Sequence, residues 1–450
     1  MSIRIKRSLS YLDNLKKIPL STNAVDCLFS SASFKAELLK QIAAAKKRIY
    51  LAALYLEADD AGKEVLQALY AAKKNIPSLD IVVCIDFHRA QRGLIGNKKS
   101  KDTNATWYQE MQQTYGTGIQ IVGIPVKRKE LFGVQHLKGF IFDDQILYSG
   151  ASFNDIYLHN NGRYRFDRYW LINNKELADS MVEYLKNDIL SSDAVVALNV
   201  ATIPKITELK IVQKKLSKHL KKATYKFEGQ RTTNNLSIFP IAGLGSKKNK
   251  LNDCIRNVIH ATQKELVIFT PYFNLPAVLD RDIDALLKRN VSLTIVVGDK
   301  TANDFYIPED KPFRTIGGLP YLYESNLKKF VQKHIPSLAS GQLKLHLWKH
   351  GDNSFHLKGM YADNRFVMLT GHNLNPRAWR LDLENGLLID DPNQVLQELL
   401  DKELNTILQN TTQITSPAQI DDVEAYPAHV KKLLLRMRRT KVDKLVKGII

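Results

Sequence analysis

Cysteine is scarce in this 450-residue chain: Cys27, Cys84 and Cys254 lie far apart and form no CxxC pair. That pattern gives no disulfide framework and no cysteine-based zinc or iron–sulfur site, and it reads as reduced thiols in a reducing compartment. Long apolar runs are missing as well. No stretch approaches the roughly 18–20 apolar residues of a spanning helix. The opening MSIRIKRSLSYLDNLKKIPL lacks the uninterrupted apolar run of a secretory signal. The expectation is a cytoplasmic protein whose membrane contact, where it exists, is peripheral. Acidic residues are in deficit: 46 Asp and Glu stand against 65 Lys and Arg, a formal net charge of +19. Such a balance favours an anionic partner, whether nucleic acid, an acidic membrane or a phosphorylated substrate.

What is present is an alternation of strand-like and helix-like stretches, which argues for an α/β class. In the first part, helical spacing over 34–49 and 61–74 alternates with apolar strands over 49–57, 79–86 and 118–125. A strand over 163–172 and a helix over 176–190 close it. The order then recurs: helices over 251–264 and 277–289, strands over 265–274, 291–299 and 343–349, then a strand over 380–390 and a helix over 393–408. This predicts two similar halves, 1–200 and 251–412. Between them lies a basic helical connector (201–250), with a lysine-rich segment at 206–227. After them comes a basic tail (413–450). In the tail, Leu434, Leu435, Val442, Leu445, Val446 and Ile449 recur at helical spacings among Lys431, Lys432, Arg436, Arg438, Arg439 and Lys441. That is the pattern of an amphipathic basic helix, suited either to an anionic membrane surface or to docking on the protein's own core.

Each half carries one copy of the same motif. HLKGFIFDD and HLKGMYADN both fit H-x-K-x4-D, with His136, Lys138 and Asp143 in the first and His356, Lys358 and Asp363 in the second. Each reads as a strand, on which alternate side chains share a face, so each His projects with its Lys. A Gly-led turn ending in Asn follows each, Gly150 to Asn154 and Gly371 to Asn375. Neutral imidazole is a good nucleophile towards phosphorus and imidazolium a good general acid, so two His suit a two-step displacement at a phosphodiester or pyrophosphate. Two Lys, assisted by Asn154 and Asn375, would stabilise the non-bridging oxygens, so the chemistry calls for neither metal nor cofactor. Each imidazole needs an acceptor on its second nitrogen, and Asp167 and Glu384 in the late strands are available. Asp143 and Asp363 fall near strand ends and read as structural groups.

These residues resemble the phospholipase D superfamily, whose members bring two such motifs together at one site. Long stretches narrow the likeness to its bacterial phosphatidylserine synthases: ALYLEADDAGK, DFHRAQRG, LYSGASFNDIYLH, TPYFNLPA, GDKTANDFYIPED, LPYLYE and LNPRAWRLDLEN. The resemblance implies two α/β halves with mixed sheets about a pseudo-twofold axis and an active site at the seam. It implies transfer of a phosphatidyl group from CDP-diacylglycerol to L-serine through a phosphatidyl-histidine, with His136 as nucleophile and His356 as acid and base. Arg89, Arg92 and Lys300 become candidates for the nucleotide phosphates. Tyr272 and Phe273 become candidates to line the seam or stack on the base. A substrate held in a bilayer implies peripheral attachment to the inner face of the cell membrane, through the tail and the 205–227 segment, with nucleic acid bound only as a non-specific polyanion. A phospholipase, a cardiolipin-type synthase, a nuclease of the same superfamily and a non-catalytic scaffold are the alternatives.

Overall fold

A computed structural model describes residues 2–92, 102–231, 234–440 and 448. Among these residues the chain forms two large mixed sheets. In spatial order, the first runs Val196–Ala197, Ile119–Ile124, Asp80–Asp86, Arg48–Ala52, Gly139–Phe142, Gln145–Ser149, Tyr169–Asn173 and Val25–Leu28. The second runs Ile18–Pro19, Ser237–Leu244, Leu383–Asp390, Phe366–Thr370, Gly359–Ala362, Glu265–Thr270, Ser292–Gly298, Leu343–Trp348 and Thr411–Ile414. In each, three neighbouring strands are parallel and the rest antiparallel. Apart from the short Ile18–Pro19 strand, the two orders match strand for strand.

The parallel strands are apolar on both faces because each sheet is covered on both. One face of the first sheet packs on Phe34, Leu38, Val65 and Leu69 of the helices Ser31–Ala44 and Asp60–Asn75. One face of the second packs on Ile255, Val258, Ile283 and Leu286 of Lys250–Ala261 and Ala277–Leu287. The inner faces share one core, in which Val82, Tyr148 and Trp170 join Phe269, Val296 and Leu387. Buried Arg168 of the first half crosses this core. It pairs with Glu403 of the second through Nε at 3.0 Å and Nη2 at 2.9 Å.

Several boundaries differ from those read in the sequence. The N-terminal lead-in is ordered and belongs with the second sheet: helix Ile3–Asp13 packs on Lys250–Ala261, and Ile18–Pro19 pairs with Ser237–Ile238. The connector is not a separate piece, because Ser237–Leu244 pairs along its whole length with Leu383–Asp390, and only Lys210–Leu220 of the 206–227 segment is α-helical. The strand expected over 163–172 breaks at Asp167–Arg168 into Arg165–Phe166 and Tyr169–Asn173. The helix over 176–190 changes to a wider π turn at Tyr184. The HLKG segments are extended, but the ladders within their own sheets begin only at Gly139 and Gly359. The residues just before them pair across the seam. Ser354–Phe355 runs parallel to Arg165–Phe166, and Gln135 bridges Leu383.

The tail helix Ala428–Arg439 buries Val430 and Leu434 against Tyr321, Leu322 and Tyr426. Its apolar stripe is therefore used on the protein's own surface. Lys441, Val442, Leu445, Val446 and Ile449 lie outside the described residues, as do positions 93–101 just beyond Arg92. No helix among the described residues is long and apolar enough to cross a membrane.

Candidate active site

The seam pairing carries both motifs to the same place. His136 N–H donates to Leu383 O at 2.9 Å, and His356 N–H donates to Phe166 O at 2.8 Å. The Asn385 side chain accepts from Lys138 N at 2.8 Å and donates to Lys138 O at 2.9 Å. Each His is therefore both anchored by backbone of the other half and oriented by an acid of that half. His136 Nδ1 lies 2.9 and 3.0 Å from the Glu384 carboxylate. His356 Nδ1 lies 3.1 Å from Asp167 Oδ2. At His136 the carboxylate on Nδ1 favours the Nδ1–H tautomer and turns Nε2 outward; His356 Nδ1 also meets Lys358 Nζ and the Tyr157 hydroxyl. The sequence left the pairing of acids to histidines open, and the structure crosses it between the halves.

All four basic side chains are buried: His136 and His356 are 7% exposed, Lys138 and Lys358 1%. Burial, then the nearby lysines, holds His136 well below its ordinary range. Burial and Lys358 bring His356 to about 4 against the pull of Asp167. Both rings are thus neutral at pH 7 in the absence of an anion. Burial and Lys358 lower Lys138 to about 7. Burial works against the charge of Asp167, but Lys358 and His356 outweigh it and hold the carboxyl at about 2. Glu384 goes the other way, pushed up by burial and by Asp382. Four cationic or protonatable groups gathered in one buried site suit a negatively charged group.

The glycines that open the two turns let the halves close. A Cβ on Gly150 would stand 2.6 Å from Lys358 Nζ and 2.7 Å from Asp167 Oδ2. One on Gly371 would stand 2.8 Å from Lys138 Cγ. Asn154 and Asn375 end the turns. Asn154 Oδ1 accepts from Tyr157 N and Asn375 Oδ1 from Ala378 N, so each side-chain oxygen is tied to local backbone. Asp143 accepts from the backbone N–H of Lys46, Lys47 and Arg48. Asp363 does the same for Gln263, Lys264 and Glu265. The motif aspartates bind the start of the neighbouring strand and stand apart from the chemistry.

The substrate-binding candidates separate. Arg89 is buried over the Tyr55 ring at 4.6 Å, and the Tyr55 hydroxyl accepts from Asn154 Nδ2 at 3.4 Å, which links Arg89 to the site. Arg92 is bidentate to Glu130 at 2.6 and 2.7 Å. Lys300 pairs with Glu324 at 3.0 Å and with Asp421. Arg92 and Lys300 are thus engaged by carboxylates, and Arg89 Nη1 lies 3.8 Å from the same Glu130. Tyr272 presents its ring to His356 with centroids 5.9 Å apart, whereas Phe273 packs on Phe330 in the second core. Tyr157, whose hydroxyl lies 2.8 Å from His356 Nδ1, went unread in the sequence. Its only signal was a position three residues beyond Asn154. No group of three or more His, Cys, Asp or Glu side chains placed to hold a metal ion occurs among the described residues.

Known proteins resemble the chain over its whole length. The family model described as cardiolipin synthase, PLD-like domain, matches residues 38–189 and 255–408. The CDP-diacylglycerol–serine O-phosphatidyltransferase of Haemophilus influenzae is 46% identical, covering 99% of each chain. The enzyme of that name from Escherichia coli K12 is 46% identical, covering 98% of this chain and 97% of its own. The crystal structure of phosphatidylserine synthase from Haemophilus influenzae Rd KW20 superimposes with a TM-score of 0.97 at 45% identity, covering all of both chains.

Proposed function

The chain belongs to the phospholipase D-like family described as cardiolipin synthase, PLD-like domain, and from that premise we propose that it transfers the phosphatidyl group of CDP-diacylglycerol to L-serine and releases CMP. Full-length identity of 46% to two serine phosphatidyltransferases carries the choice of substrates. The crossed His–carboxylate pairs support the mechanism.

His136 Nε2 attacks the phosphorus next to the diacylglycerol, and the bond from phosphorus to the CMP oxygen breaks. Its Nδ1–H stays in place, so the phosphorylated ring is cationic. The adjacent Glu384 carboxylate, disfavoured while the ring is neutral, becomes favoured once the ring is charged. Lys138 and Lys358 oppose the charge on the non-bridging oxygens. His356 Nε2 then accepts the proton of the serine hydroxyl, the serine oxygen bonds to phosphorus, and the bond to His136 breaks. CMP is a fairly acidic leaving group and serine a weak nucleophile, so the base matters most in the second step. A partner ionised down to about pH 2 suits His356 to carry that proton.

The protein reaches its lipid substrate from the bilayer surface. Leu131 and Phe132, 54% and 51% exposed, sit on the turn just before His136, next to Lys127, Arg128 and Lys129. Lys221, at the end of the connector helix, is close enough to depress Lys127 beyond the effect of burial. Apolar tips within a basic cluster suit an anionic interface, at about 1 kcal/mol per charge. Exposed Lys432, Arg436 and Arg439 of the tail add charge. CMP release from CDP-diacylglycerol, with and without L-serine and in chelator, tests the reading. The expected result is serine-dependent phosphatidylserine that survives chelation; no serine-dependent lipid would overturn it.

A further inference from the structure

Arg165 and Asp304 form a charge pair that the phosphoryl chemistry leaves idle. It lies beside His356 between two tyrosines. Arg165 Nη2 is 3.6 Å from Asp304 Oδ2, beyond a normal hydrogen bond. The guanidinium lies over the Tyr157 ring at 4.8 Å, and its Nε donates to Ser354 Oγ at 3.2 Å. On the other side the Tyr272 hydroxyl donates to Asp304 Oδ1 at 2.6 Å. Both tyrosines reach His356, Tyr157 by its hydroxyl and Tyr272 by its ring. The pair is thus held at both ends, loosely joined in the middle, and still 11% and 15% open at its two side chains. Two charges taken out of water without a direct hydrogen bond are expensive, and a ligand that completes both repays the cost.

We propose that Arg165 and Asp304 hold the acceptor as an α-amino-acid zwitterion, Asp304 taking its ammonium and Arg165 its carboxylate, with the hydroxymethyl group turned to His356. This rests on the reading that L-serine is the acceptor. An α-amino acid carries opposite charges on neighbouring groups of one carbon, and a side-by-side pair of opposite protein charges is its complement. Ethanolamine lacks the group for Arg165, and 3-hydroxypropanoate lacks the group for Asp304. A phosphorylated alcohol would set its dianion against the Asp304 carboxylate. Sites built to pair a charged substrate group reject analogues without it, because a buried protein group is left unpartnered.

The test measures kcat/KM of the full-length protein for L-serine, ethanolamine and 3-hydroxypropanoate, with CDP-diacylglycerol in mixed micelles. Asp304→Asn should shrink the preference for L-serine over 3-hydroxypropanoate by about 10- to 100-fold and retain that over ethanolamine. Arg165→Gln should do the reverse, and Asp304→Glu should keep both preferences. If Asp304→Asn and Arg165→Gln lower turnover of all three acceptors by the same factor, the pair is structural and the proposal is wrong. Failure of the underlying reading shows separately, as wild-type protein that forms no serine-dependent lipid.

Discussion

Glu384 and Asp167 both bind a histidine Nδ1 in the buried seam, yet their neighbours drive them in opposite directions. That asymmetry separates two histidines that the sequence presents as equivalents. His356→Asn should accumulate a phosphatidyl adduct on His136 that mass spectrometry of a quenched reaction detects, and His136→Asn should give none. An adduct on His356 instead would reverse the roles. Glu384→Gln keeps the shape and removes the charge that would balance the proposed phosphorylated ring, so kcat should fall by roughly 100-fold. The same burial makes the stability of the fold sensitive to pH. His356 is held at about 4 against an ordinary 6.5, so the unfolded chain binds the extra proton between those values. The stability contribution is full above 6.5 and is lost as pH falls towards 4. Lys138, lowered from 10.5 to about 7, acts in the same sense at higher pH, with stability rising from 7 to 10.5. The thermal midpoint of wild type should fall on acidification from pH 6.5 to 4, and His356→Gln should flatten that slope.

Elements were legible where the signal is local. The strand–helix alternation, the repeat and the late-strand acids follow from apolar periodicity and motif spacing within each half. What was misread depends on partners elsewhere in the chain. The extended HLKG segments looked like ordinary strands because their pairing partner, across the seam, leaves no mark on local periodicity. Ser237–Leu244 was absorbed into a connector because Pro240 and Gly243 disguise it. Pro240 is tolerated there because Ile18–Pro19 covers only the first two positions of that strand, leaving an open edge beyond. An amphipathic basic tail suits a membrane or a core alike; in the described part Val430 and Leu434 dock on the protein while Leu435 stays exposed, and the remaining positions of the stripe lie outside the described residues. Among the described residues, the proposed membrane contact rests on the exposed turn at Leu131 and Phe132. Leu131→Asp with Phe132→Asp should reduce sedimentation with anionic vesicles at least several-fold at low salt, more than charge removal at Lys432, Arg436 and Arg439. A larger effect from the tail would return the anchor to the tail.

At the scale of the whole molecule, each half orients the other's histidine, so neither half alone holds the whole site. The chain also braids the halves: its first twenty residues serve the second sheet, and Arg168 is locked to Glu403 across the seam. Glu403 further accepts from Trp170 Nε1 at 3.0 Å, and Arg168 Nη1 donates to Met368 O at 3.2 Å. Gly359 makes this possible, since a Cβ there would stand 2.6 Å from Arg168 Nη1. The clamp is next in sequence to Asp167, so it sets both the joint between the halves and the acid on His356. Removing one member of such a buried pair strands the other charge, whereas replacing both by apolar side chains removes the desolvation cost with the attraction. Arg168→Met should therefore destabilise by about 3–5 kcal/mol in urea unfolding, and Arg168→Met with Glu403→Leu should recover most of that. If the clamp also fixes Asp167, the double variant should regain stability while its kcat stays low. Recovery of both together would make the clamp a matter of stability alone.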